Sequence, residues 1–168
     1  MPDLYVFPGG RVDRADALCA TTAELRPEVA SRVPGGPDRA RSLAVAAVRE
    51  TFEETGLLIG ADDGDGDGIR PHLAGLDYVG RAITPASSAI RYHARFFVSD
   101  AARASGELGG SGELLDLRWC TFADAMELPI MDVTRLMLRE VERRVARAAP
   151  PRRPFVRYRG EHAMIRYE

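Results

Sequence analysis

Nine consecutive residues restrict this chain most: Arg49-Glu50-Thr51-Phe52-Glu53-Glu54-Thr55-Gly56-Leu57. Just upstream, Val45, Val48 and Phe52 recur at i, i+3 and i+7, and Ala44, Ala46 and Ala47 favour helix. The pattern predicts a helix over residues 42–55, ended by Gly56 in a left-handed C-terminal cap. On that helix Glu50, Glu53 and Glu54 stand at i, i+3 and i+4 and share a face away from the apolar stripe. Left alone, like charges at this spacing repel by roughly 0.2–0.5 kcal/mol per pair. A solvated acidic face is one reading. A bound cation is the other, and clustered carboxylate oxygens are hard ligands suited to Mg²⁺ or Mn²⁺. Arg49, next to Glu50 and four residues before Glu53, can orient a carboxylate through a charge-assisted hydrogen bond.

What the chain lacks narrows the chemistry further. All 23 basic residues are arginine, and there is no lysine. Schiff-base and PLP enzymes, lysine-bearing P-loops and ordinary protein kinases are therefore excluded. Phosphate must be met by arginine, backbone N–H groups or a metal. The net charge of −2 argues against a general nucleic-acid binder. Its distribution is uneven: residues 133–168 hold ten arginines against four glutamates, which reads as a solvated basic face or a site for an acidic partner. No apolar run has the length of a membrane span, and the N-terminus lacks a signal-peptide pattern, so a cytoplasmic location is expected. Cys19 and Cys120, far apart and in no metal-binding spacing, fit two reduced thiols.

At 168 residues one domain is the default. Leu4-Tyr5-Val6-Phe7 reads as a buried strand entering the Pro8-Gly9-Gly10 loop. Residues 17–41 read as an insertion with at most a short helix near Thr21 to Ser31, broken by Pro27, Pro34 and Pro37. Asp63, Asp65, Asp67 and Gly68 imitate the start of a calcium loop, but Ala74 stands where a bidentate carboxylate is needed. A flexible acidic surface loop is the better reading. Strands are predicted at residues 76–83, 92–98 and 114–120, the last containing Trp119. An amphipathic helix from Asp132 or Thr134 to about Ala148 should turn Leu136, Leu138 and Val141 inward and its arginines outward. Residues 155–159 and 163–167 read as a terminal hairpin around Gly160. Mixed strands and helices of this kind predict an α/β sandwich.

Taken together, Gly10-x5-Asp16 and Arg49-Glu50-x-x-Glu53-Glu54-x-Gly56-Leu57 resemble the Nudix box, G-x5-E-x7-R-E-U-x-E-E-x-G-U with U aliphatic. The second half matches at every fixed position, with Thr51 as a slightly polar U. The first half departs twice: Asp16 replaces a glutamate, and the seven-residue spacer has become 32 residues, Ala17 to Val48. The run Phe7 to Asp13, together with these departures, is similar to the branch that includes coenzyme A diphosphatase-like proteins.

The resemblance implies a single Nudix-like α/β/α sandwich with a mixed sheet, carrying the 17–41 insertion and a C-terminal helix plus hairpin over about 133–168. It implies Mg²⁺- or Mn²⁺-dependent hydrolysis of a nucleoside diphosphate linked to another group X, CoA or acyl-CoA among them. Glu50, Glu53, Glu54 and the Gly10 carbonyl would hold the metal, Glu53 or Glu54 would lie nearest the activated water, and Arg49 would orient them. Glu113, with Glu107 as alternative, could complete the site from a distant loop, beside Asp16. Arg11, Arg81, Arg91 and Arg95 are the candidates for substrate phosphates. His72, His93 and His162 show no catalytic pairing. The competing readings are a silent Nudix domain binding a nucleotide such as ADP-ribose and, less favoured, a Nudix-fold isomerase. The family's N-terminal hairpin is missing or replaced: residues upstream of Met1, the terminal hairpin or a homodimer partner would complete the sheet.

Overall fold

The structure is a computed structural model that describes the chain except residues 1–3, 65–67, 89–90, 110–111, 113, 149–150 and 161. Contacts divide it into two compact units interleaved in sequence. A helical unit comprises Pro8–Asp77 and Ser99–Trp119, and a sheet unit comprises Met1–Phe7, Tyr78–Val98 and Cys120–Glu168.

In the helical unit, α1 (Pro27–Ala30) precedes α2 (Pro37–Thr55). α2 begins five residues before the predicted start because Pro37 does not break it. Pro37 occupies the first helical turn, where its missing N–H costs nothing and its fixed φ suits the helix, after Gly36 at φ 87°. Gly56 ends α2 as expected, left-handed at φ 75°, its N–H donating to Phe52 O at 2.8 Å. Ala40, Ala44, Val45, Ala46 and Val48 are buried along α2; Phe52 is only half-buried. Leu25, Val29 and Val33 are buried as well, so the insertion supplies core rather than only surface loop. It is also laced to the next elements, Thr22 N–H donating to Pro71 O and Leu73 N–H to Ala23 O. An unanticipated antiparallel pair, β1 (Gly60–Asp62) and β2 (Ile69–Pro71), flanks the acidic stretch, whose residues 65–67 lie outside the described ones.

The sheet unit has four strands, β3 (Asp77–Ile83), β4 (His93–Val98), β5 (Pro154–Arg159) and β6 (His162–Tyr167), in the order β4-β3-β5-β6. β5 runs parallel to β3, with Arg81 opposite Phe155, and antiparallel to β6. The terminal hairpin thus extends the sheet beyond β3. Helices α3 (Phe122–Glu127) and α4 (Asp132–Val145) belong to the same unit. Val79, Ala82, Met137 and Val156 form its core, with Phe96, Val98, Leu136 and Val141 packed against them. Met137 takes the central place expected of Leu138.

Three expectations fail here. Residues 114–120 form no strand; Asp116 sits at φ 56°, a left-handed backbone that interrupts extended structure, and Trp119 is 67% exposed. Leu4 to Phe7 is no buried strand either: it makes a single bridge, Tyr5 to Ile130, and leaves Val6 and Phe7 exposed. Finally, the α4 arginines are not all outward. Arg144 donates to Tyr78 O, Val79 O and Arg152 O, and it shares Glu140 with Arg143 and the Arg152 N–H. Glu140 is 4% exposed. A buried carboxylate is tolerable when its lone pairs are met in this way, and here it fastens α4 to the start of β5.

Tyr78 is 3% exposed, and burial pushes its phenol up to about 12. The unfolded phenol ionises near 10, so its stabilising contribution is full below that pH and is lost as pH rises towards 12. The expected loss is about 2 kcal/mol over that interval. Urea titrations at pH 9.5 and 11.5 measure it, and Tyr78→Phe should flatten the slope; an unchanged slope would assign it to other groups.

Candidate functional site

The acidic helix face and the glycine loop come together within the helical unit, through Arg49. A 3₁₀ turn, Ala15–Ala17, carries Asp16 inward to 2% exposure. Arg49 Nε donates to Asp16 Oδ1 at 2.9 Å and Nη2 to Oδ2 at 3.2 Å, a bidentate pairing. Nη2 also donates to Arg11 O at 2.9 Å, and Nη1 divides between Glu50 Oε1 at 2.8 Å and Glu53 Oε2 at 2.9 Å. The hydrogen bonds that Arg49 donates to Asp16 come first among the causes that raise its pKa, ahead of the one to Glu50, against the lowering effect of burial. The guanidinium is therefore a permanent cation among acids, which offsets the repulsion along the helix.

Gly9 and Gly10 close against this face. Gly9 N–H donates to Glu54 Oε2 at 2.9 Å. A Cβ added to Gly10 would fall 2.4 Å from the Glu50 carboxylate, so any side chain here would push that carboxylate from its present position. Glu50 is held at 15% side-chain exposure, whereas Glu53 keeps 51%. Two participants escaped the sequence reading. The Gly9 N–H is backbone and leaves no residue-type signal beyond the Gly-Gly pair itself. Asp13, 3.9 Å from Arg49, also donates its N–H to Asp16 Oδ2 at 2.6 Å; a second acid within the five-residue gap was the available clue.

The remaining candidates are less gathered. Glu113 lies outside the described residues. Glu107 is exposed in a loop laced to the end of α2: Leu58 bridges Ser105, Gly106 abuts the Gly56 carbonyl, and Gly109 N–H donates to Thr55 O at 3.0 Å. Arg11 is exposed and meets the site through its carbonyl. Arg81, Arg91 and Arg95 belong to the sheet unit. Arg81 pairs with Glu168, Arg95 donates to His93 O, and Arg91 is exposed just before β4.

Among the described residues no three acidic, histidine or cysteine side chains surround a common point as a metal cage. Glu50 and Glu53 lie on Arg49, and Glu54 lies on Gly9 N–H. The donor set nevertheless fits a hard divalent cation in kind: three carboxylates on adjacent turns of one helix, beside a glycine loop with no side chain to fill the gap. Ligation requires the carboxylates to turn from their present N–H donors.

The NUDIX domain family model matches residues 1–141, and the chain belongs to the Nudix family. It is a Nudix-type hydrolase acting on phosphoanhydride bonds, in a family whose members generally use a divalent metal and take small nucleotide substrates. A solved Nudix hydrolase from Alicyclobacillus acidocaldarius is 28% identical, with a TM-score of 0.63 over 83% of this chain and 76% of that one. The mixed sheet and its helices match a Nudix-like fold. No curated protein matches the chain. Among the described residues no helix is long and apolar enough to cross a membrane.

Proposed function

We propose that this enzyme cleaves the pyrophosphate bond of a nucleoside diphosphate linked to X, using Mg²⁺ or Mn²⁺ held by Glu50, Glu53, Glu54 and the Gly10 carbonyl. The observation that carries it is Arg49 bound at once to Asp16, Glu50 and Glu53 beside the Gly9-Gly10 loop. A bound divalent cation supplies charge neutralisation for the pyrophosphate and a more acidic water. Arg49 keeps Glu50 and Glu53 together beside the glycine loop, from where they would turn onto the metal. Glu53, the more exposed of those two, or Glu54 beside the loop takes the proton of the attacking water. Gly10 lets the loop backbone approach where any side chain would displace Glu50.

CoA or acyl-CoA stands ahead of ADP-ribose, nucleotide sugars and nucleoside triphosphates, supported by the run from Phe7 to Asp13, Asp16 and the long insertion. Cytoplasmic residence, a single Nudix-like domain and a homodimeric form belong to the same proposal. A panel of X-diphosphates with Mg²⁺, its products resolved by mass spectrometry, tests the reaction: phosphate-bearing products that disappear in EDTA are expected. Turnover that persists in EDTA would refute the mechanism, and calorimetric binding without turnover would make the chain a nucleotide sensor instead. Gly10→Ala is expected to lower kcat roughly 10- to 100-fold, the usual effect of disturbing a ligand's support. Its melting temperature should stay within about 4 °C, a change of about 1 kcal/mol. Parallel losses in kcat and melting temperature would show a folding defect instead.

A further inference from the structure

A cavity of about 320 Å³ opens in the helical unit, lined by Thr22, Gly60, Ala61, His72 and Arg103. None of these residues belongs to the Nudix box. They come from four separate stretches: the insertion, β1, the residue after β2, and a 3₁₀ turn, Ala101–Arg103. Backbone hydrogen bonds fix the walls. Thr22 N–H donates to Pro71 O and His72 N–H to Ile59 O, both at 2.9 Å. Leu58 and Ser105 exchange two further bonds at 2.9 Å, which tie the stretch carrying Arg103 to the one entering β1. A Cβ at Gly75 would lie 2.6 Å from Arg103 Cδ, so the arginine stem runs against bare backbone that limits its swing.

The polar side chains of the cavity have no acid to satisfy them. No acidic side chain lines it, and Arg103 makes no hydrogen bond or ion pair among the described residues. Thr22 Oγ1 donates to Pro71 O at 3.4 Å, so its lone pair accepts from His72 Nδ1–H at 3.3 Å. That contact orients the imidazole and leaves Nε2 without a partner among the described residues. A guanidinium fork beside an imidazole suits an oxyanion, and two features select phosphate over carboxylate. The fork takes two oxygens, and a phosphomonoester has a third for Nε2. A phosphomonoester also loses its second proton near pH ~6, within the range of free imidazole, so ring and ligand can share one proton. Nε2–H donates to the dianion, or bare Nε2 accepts from the monoanion. The volume is at the small end of ligand sites, about 300–1,000 Å³, and leaves room for a small organic group on the phosphate.

We propose that this cavity binds a phosphorylated small molecule of sugar-phosphate size, its phosphate held by Arg103 and His72 with Thr22 positioning the imidazole. The proposal goes beyond the hydrolase reading and does not rest on it. It also gives the 17–41 insertion a task, since Thr22 belongs to that segment.

The test is calorimetric titration with ribose 5-phosphate in EDTA, with ribose and ribonate as the uncharged and carboxylate counterparts. Ribose 5-phosphate should bind, ribonate at least tenfold more weakly, and ribose without measurable heat. Arg103→Met should weaken binding at least tenfold, the loss of a charge-assisted pair. Thr22→Val should weaken it about threefold by releasing the imidazole, and Thr22→Ser should restore it. Arg103 is exposed, so its variant should keep the wild-type melting temperature. Arg159→Met, which removes another exposed arginine in the sheet unit, should bind as the wild type. Absence of ribose 5-phosphate binding, or Arg103→Met that binds as wild type, overturns the site. Equal weakening in Arg159→Met shows general charge attraction and overturns it as well. Ribonate that binds as tightly as ribose 5-phosphate overturns the choice of phosphate. Glu53→Gln should bind ribose 5-phosphate unchanged, and a loss there moves the ligand to the carboxylate face. Failure of the hydrolase reading therefore remains distinguishable from failure here.

Discussion

Glu53→Gln is expected to reduce kcat on the order of 10³-fold without unfolding the protein. The two effects separate because the Glu53 carboxylate has two different roles. In the fold it is one half-exposed partner of Arg49 at i,i+4, a pair of the kind that contributes about 0.3–0.5 kcal/mol. Glutamine keeps an oxygen that can accept from Nη1, so even that contribution is partly preserved. In the proposed reaction the same carboxylate is a metal ligand or the base for water. Charge stabilisation there amounts to several kcal/mol of the barrier, and about 4 kcal/mol corresponds to 10³ in rate. Single-turnover kinetics at saturating Mg²⁺, beside a thermal melt, read both quantities. A kcat within tenfold of wild type would move the proton-accepting role to Glu54 or Glu50.

Asp16→Ala should cost about 3 kcal/mol of stability and, for a chain of this length, lower the melting temperature by roughly 6–12 °C. Asp16 is the most buried acid around Arg49 and takes two of its hydrogen bonds as well as the Asp13 N–H. Removing it leaves a largely buried guanidinium short of a partner, which is costlier than never having built the pair. Urea denaturation with a common m-value reads the change. A loss below about 1 kcal/mol would show that Asp13, already 3.9 Å away, had replaced it. Activity should fall too, since Arg49 would no longer hold Glu50 and Glu53 in place.

The helix that carries the site was legible because its signals are local: apolar spacing, three acids on one face and a glycine at the cap. The Arg49 contact to Glu53 follows from the same four-residue spacing. The Asp16 contact does not, because 32 residues intervene and only the family pattern joins the halves. Pro37 shows the limit of composition, since the residue that breaks a helix interior also starts one; the glycine at positive φ before it decides which. Residues 114–120 have strand-forming side chains yet form no strand, because one left-handed residue, Asp116, interrupts the extended backbone. Arg144 and Glu140 look like ordinary surface charges in sequence. Their burial depends on β3 and on Arg152, whose positions are non-local. The occupation of Arg81 by Glu168 spans 87 positions and has no sequence signature.

The interleaving of the two units has a consequence for synthesis on the ribosome. Both segments of the helical unit have been made once Trp119 emerges, so its contacts can close on the nascent chain. The sheet unit must wait. β3 is made early but gains its parallel neighbour β5 only after translation has passed Pro154, and until then one of its edges is bare. Long-range parallel pairing closes slowly, and a bare strand edge invites association with other chains. Translation from Ile83 to Arg159, together with the slow pairing that follows, therefore bounds the time for which each new molecule carries that bare edge.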